Sequence, residues 1–223
     1  MWPSIIQTIS VIVAALSVTI GVSAWRRSLI GQKRIELAEQ VIEGFHEARN
    51  ALQAIRSPMG TAKEGMTRVR KEGEDAAESR ILDQAYVAFE RYEARSEIFS
   101  KLMAKRYRFA LYFGDKAAEP FEDLNDILKQ IFLASHKLAR LWKAQGTAME
   151  QDVFEKHLKN MHAAEAIFWE GAEDPDPLNP KIETMLNNIT ETCRKIVNPR
   201  RTLCEDLQNN WHSVLNYLQC KVR

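Results

Sequence analysis

Residues 2–25, WPSIIQTISVIVAALSVTIGVSAW, carry no charged side chain, and Arg26-Arg27 follow at once. A hydrocarbon layer about 30 Å thick is crossed by roughly 20 helical residues, and this run has that length. Gln7, Thr8, Ser10, Ser17 and Thr19 moderate its apolar character, but small hydroxyls can bond back to the carbonyls of their own helix. Trp2 and Trp25 stand at the two ends, where indole rings favour the headgroup layer. The run therefore reads as a single transmembrane helix. A cleaved signal peptide fits less well, although Val22-Ser23-Ala24 resembles a cleavage site. No Lys or Arg precedes the run, and it exceeds the roughly 7–15 residues of a signal core.

Beyond the run, Arg26, Arg27, Lys33 and Arg34 supply four cations before the first acid, Glu36. They suit anionic lipid headgroups, and the positive-inside rule puts them in the cytoplasm. The expected topology is single-pass in the cell (inner or plasma) membrane, with the N-terminus outside and the C-terminal domain cytoplasmic. Ser10, Ala14, Ser17 and Gly21 share one face of the span, and small residues at such spacing let membrane helices approach closely.

The chain of 223 residues has 31 basic and 30 acidic side chains. Without the four cations of the cluster, 27 basic residues face 30 acidic ones, a balance of −3. That excludes the basic footprint of a nucleic-acid binder. Cys193, Cys204 and Cys220 form no CxxC pair and read as reduced thiols in a cytoplasmic domain. The sequon Asn188-Ile189-Thr190 has no bearing on that side of a membrane.

From residue 28 to 60, Ala38, Val41, Ile42, Phe45, Ala48, Leu52 and Ile55 recur at helical steps. The spacing predicts an amphipathic helix continuing from the membrane, weakened at Gly31 and Gly44 and broken at Ser57-Pro58-Met59-Gly60. Residues 61–76 are charged or small and read as a solvated, flexible connection. Ala77 to Phe113 lacks glycine and proline, so a single helix on the order of 50 Å is expected. Its stripe is Leu82, Ala85, Phe89, Tyr92, Phe99, Leu102, Phe109 and Phe113, interrupted at Ser96 and Arg106. Gly114 would end it, with nearby cations complementing the helix dipole.

Pro120 opens the next helix, whose stripe includes Phe121, Leu124, Ile127, Leu128, Ile131, Leu138, Leu141 and Trp142 before Gly146. Thr147-Ala148-Met149-Glu150 reads as a capping box for a helix carrying Phe154, Leu158, Met161, Ile167 and Phe168. Asn179-Pro180 and Asn198-Pro199 read as starts of two last helices, the final one bearing Leu203, Leu207, Trp211, Leu215 and Leu218. The fold expected is all-α, an N-terminal single transmembrane helix continuing into a long antiparallel helical bundle, with residues 77–223 packing against residues 28–60.

Catalytic and metal chemistry find little support. A di-metal bundle needs Glu-x-x-His on two helices, and Glu43-Gly44-Phe45-His46 occurs once. His157 and His162 diverge around a helix, and His136 and His212 read as surface or boundary residues. There is no Gly-x-Ser-x-Gly elbow and no phosphate loop. The acidic stretch from Glu170 to Asp176 lacks the ligand spacing of a calcium loop. No cofactor and no metal is expected.

One segment, residues 105–114 (KRYRFALYFG), mixes cations and aromatics. Arg106 and Arg108 could donate to an anion while Tyr107 or Tyr112 stacks on it; the alternative is a helix end with Phe109 and Phe113 in the core. The leading expectation is a non-enzymatic module tethered to a membrane and acting through a protein partner or as a homo-oligomer. The alternative is a membrane-anchored sensor or effector binding a small anionic ligand at Arg106, Tyr107, Arg108 and Tyr112.

Overall fold

The computed structural model describes residues 2–145, 148 and 150–198, with the side chains of residues 2–16 and 19 outside that description. The described residues are mostly helical, with no strand among them. The chain divides into two compact units, one of Met1–Gln40 with Arg194–Arg223 and one of Val41–Cys193. Helix α1 (Trp2–Arg56) begins in the first unit, and its turns from Val41 onward belong to the second. Among the described residues no helix is long and apolar enough to cross a membrane. Most of the charge-free run falls on residues whose side chains lie outside them.

The Val41–Cys193 unit is a helical bundle. On α1 it buries Val41, Phe45, Ala48, Leu52 and Ile55, at 1% exposure or less. Helix α2 (Ala76–Glu93) starts at Asp75, whose carboxylate accepts from the amides of Ala77 and Glu78, satisfying two donors that a helix start leaves open. It runs antiparallel to α5 (Glu119–Ala144): Glu78 meets Lys143, Ala85 O accepts from Ser135 Oγ, and Phe89 stacks on Phe132. Pro120 lies in the first turn of α5, where its missing N–H costs nothing. Helix α7 (Asn179–Val197) runs antiparallel to α1, with Glu183 bonded to Arg49 and Asn179 to Arg56.

The single long helix expected from Ala77 to Phe113 is corrected to three: α2, α3 (Ser96–Met103) and α4 (Arg106–Phe113). At the first break Arg95 leaves helical geometry (φ −122°, ψ 7°), and its N–H donates to Tyr92 O, three residues back. Ser96 Oγ donates to Glu93 O at 2.8 Å, drawing a carbonyl from the ladder. At the second break Lys105 N likewise reaches only to Leu102 O. The breaks fall beside Ser96 and Arg106, where the apolar spacing slips. Bending there lets Phe99, Leu102 and Phe109 all face the core, at 2% exposure or less. Gly44 makes room for this, since a Cβ there would lie 3.0 Å from Leu102 Cδ1.

A 3-10 turn over Asp115–Ala118 leads into α5. Helix α6 (Gln151–Phe168) is preceded by Glu150 as its cap residue. The capping box expected from Thr147 to Glu150 is thereby displaced; Gly146, Thr147 and Met149 lie outside the described residues. The helix expected to carry Leu203 to Leu218, with Cys204, Cys220 and His212, also lies outside them.

Candidate functional site

Most charges inside the bundle are already spoken for. Arg56, in the last turn of α1, is 1% exposed. Its Nη2 donates to Asp176 Oδ2 at 2.8 Å and to Ala166 O at 3.0 Å, and its Nε donates to Ile167 O at 2.9 Å. The guanidinium thus covers carbonyls at the C-terminal end of α6, which have no partner within their own helix. Asp176 Oδ1 meanwhile accepts from Leu178 N and Asn179 N at the start of α7. One buried ion pair, anchored on the last turn of α1, therefore closes the end of α6 and the start of α7.

Arg91 does the same for α1. Its Nη1 donates to Ser57 O at 2.5 Å and Ile55 O at 3.3 Å, and its Nη2 donates to Met59 O and Glu64 Oε2. Of residues 61–76, expected to be a solvated connection, Ala76 already opens α2 and the rest form neither a regular helix nor a strand, yet they are tied to α2. Arg68 bonds Glu74 and Asp83, Arg70 bonds Asp83, and Gly65 N and Thr67 Oγ1 donate to Glu90. A groove of about 870 Å³ runs beside this loop, with Arg70, Glu74, Asp83 and Arg91 in its walls. Each of these four groups faces an opposite charge.

The four residues of the basic and aromatic segment do not converge. Arg106 is bonded to Glu122 of α5 at 2.5 Å and lies over the Tyr107 ring at 5.1 Å. Tyr107 and Arg108 are exposed, Tyr112 is half-buried against Phe113, and Phe109 is buried. These cations stand in the first turn of α4 and not in its last, so the expected dipole rationale does not apply.

In the first unit, Arg26, Arg27, Lys33 and Arg34 are all exposed, and Arg27 Nε reaches Ser23 O. Of the small-residue face, Ser17 and Gly21 are exposed, and a Cβ on Gly21 would meet nothing within 4 Å among the described residues. The side chains of Ser10 and Ala14 lie outside the described residues.

Among the described residues no group of three His, Cys, Asp or Glu side chains could hold a metal ion. Cys193 is buried, and that burial pushes its thiol up to about 12, far from a nucleophilic thiolate.

A surface the sequence reading passed over lies on α5. Its outer side exposes Asp126, Lys129, Leu133, Lys137 and Arg140. Beside Leu133 a groove of about 550 Å³ opens between α5 and α6, with Ala134, Leu141, Ala163 and Ile167 in its walls and Lys137 and Arg140 at its rim. The available signal was an isolated leucine among charges on the polar side of the stripe.

Compared with known proteins, the chain matches no protein-family model, no curated protein and no solved structure.

Proposed function

We propose that this chain is a membrane-tethered, non-enzymatic helical module that acts through protein partners or self-assembly. The observation that carries the reading is the charge-free run from Trp2 to Trp25 within one helix. Its described large side chains stand in the open: Val18 and Ile20 are each 64% exposed and Trp25 67%. These apolar residues, left to water over about two turns, have a natural solvent in lipid, and Arg26, Arg27 and Lys33 suit the headgroup layer beside it. The bundle is then cytoplasmic by the positive-inside rule. Its working parts are helix faces. In the groove beside residues 61–76, Arg70, Glu74, Asp83 and Arg91 each hold an ion-pair partner, and Arg106 is already paired with Glu122.

Alkaline carbonate extraction of cell membranes tests the tether. The full chain should stay in the pellet, and a variant lacking residues 2–25 should move to the supernatant. Recovery of the intact full chain in the soluble fraction would overturn the proposal.

A further inference from the structure

We infer that the outer face of α5 is a self-association surface, on which two copies of this chain pair antiparallel about Leu133. Asp126 and Arg140 each lie seven residues from Leu133, close to two full turns, so the three form one line along the helix. All three are exposed, Leu133 at 58%. The flanking charge is segregated: Glu119, Glu122, Asp123 and Asp126 precede Leu133, whereas Lys137, Arg140 and Lys143 follow it. Lys129 is the exception, and its Nζ already donates to Asp126 Oδ1 at 2.8 Å. Burial, with the like charges of Glu119 and Asp126, raises the Asp123 carboxyl above its ordinary value. In the acidic half Asp126 is held by Lys129 and Glu122 by Arg106, while among the described residues Glu119 and Asp123 face no cation.

A second copy turned about Leu133 satisfies both halves at once. Twofold symmetry makes such a contact self-complementary, so Asp126 of each copy meets Arg140 of the other. Lys129 and Lys137, four residues either side of Leu133, fall on opposite flanks of the line and do not oppose one another. A parallel pair would set acid against acid and base against base, which selects the antiparallel arrangement. The apolar groove beside Leu133 receives the leucine of the second copy, and its rim carries cations with no acid among its walls. A contact built on one helix pair is small, and a tether that concentrates the chains raises its occupancy. The inference rests on the reading of this chain as an interaction module but requires no anchor.

The test uses the full chain with Cys193, Cys204 and Cys220 replaced by alanine. In native membranes, or in purified protein at high concentration, L133C should oxidise to a covalent dimer. Y107C, on exposed α4, should not. In the parent chain, D126R and R140D should each weaken dimerisation at least tenfold by analytical ultracentrifugation, and the double reversal D126R/R140D should restore it. Self-adducts no more abundant for L133C than for Y107C, a double reversal that stays monomeric, or L133C adducts only to another polypeptide would each overturn the inference. A chain that pellets with membranes yet stays monomeric sinks the pairing and leaves the tether standing; a soluble chain that dimerises does the reverse.

Discussion

Arg56 and Asp176, 120 residues apart in sequence, form an ion pair of 2.8 Å in which the two side chains are 1% and 8% exposed. Removing one partner of such a pair strands the other charge away from water, a cost of about 3–5 kcal/mol. Arg56→Ala and Asp176→Ala should each lower unfolding stability by that order. The double variant should lose less than the two single losses combined, because they remove the same interaction. Urea denaturation of the four chains measures this, and additive losses would show that the pair is not coupled.

Two separate carboxylates, Asp176 and Glu74, set a response to acid. Burial alone would raise the Asp176 carboxyl, but hydrogen bonds from Arg56, Asn179, Leu178 and Gly171 outweigh it and hold it below its ordinary value. Glu74 is held at about 2 by Arg68, against desolvation and with further help from Lys71 N and Ser79. A carboxylate whose folded value is depressed contributes stability above its unfolded value and loses it as pH falls through the folded one. Stability should therefore be level above about pH 5 and fall from about pH 4 downward, the ordinary carboxylate range. Glu74→Gln should flatten the lowest part of that fall in urea midpoints taken from pH 6 to 2.

Two glycines with the same backbone angle should respond differently. Gly65 (φ +83°) and Gly73 (φ +86°) both occupy the left-handed region, where a Cβ costs roughly 1–2 kcal/mol. At Gly73 nothing lies within 4 Å of that Cβ, whereas at Gly65 it would stand 1.8 Å from the carbonyl oxygen of Asp83. Gly73→Ala should cost only the conformational term. Gly65→Ala should cost more than about 3 kcal/mol, since the backbone must also move. Equal losses in thermal unfolding would mean that the loop does not sit against α2.

Cys193 should be inert while the bundle is folded. It is 1% exposed and burial holds its thiol near 12, so almost no thiolate forms at pH 8. Iodoacetamide at that pH should leave the peptide containing Cys193 unmodified by mass spectrometry until denaturant is added. Rapid labelling in native buffer would show that the C-terminal part of α7 opens.

The helical character of this chain, most of its core and several of its boundaries follow from local pattern. Apolar residues at steps of three and four mark the buried faces of α1, α5 and α7, because a helix returns to the same side every 3.6 residues. Pro58 and Pro120 mark an end and a start for equally local reasons. Periodicity fails where the chain bends. Ala77 to Phe113 has no helix breaker in its composition, and the turns at Arg95 and Lys105 are set by where Phe99, Leu102 and Phe109 must reach the core.

Helix periods, proline and glycine punctuation, and the charge-free run with its basic flank are legible residue by residue, because each depends on near neighbours. Which charges are spent inside the fold emerges only once the helices pack. Arg56, Arg91 and Asp83 look like ordinary surface residues in a one-dimensional reading, since nothing nearby in sequence announces Asp176, the carbonyls at the end of α1, or Arg70 as their partners. The reason is the range of the forces involved. Helix periodicity is settled within a turn or two, whereas a guanidinium seeks whatever orphan carbonyls and carboxylates packing brings near it, here 13, 34 or 120 residues away.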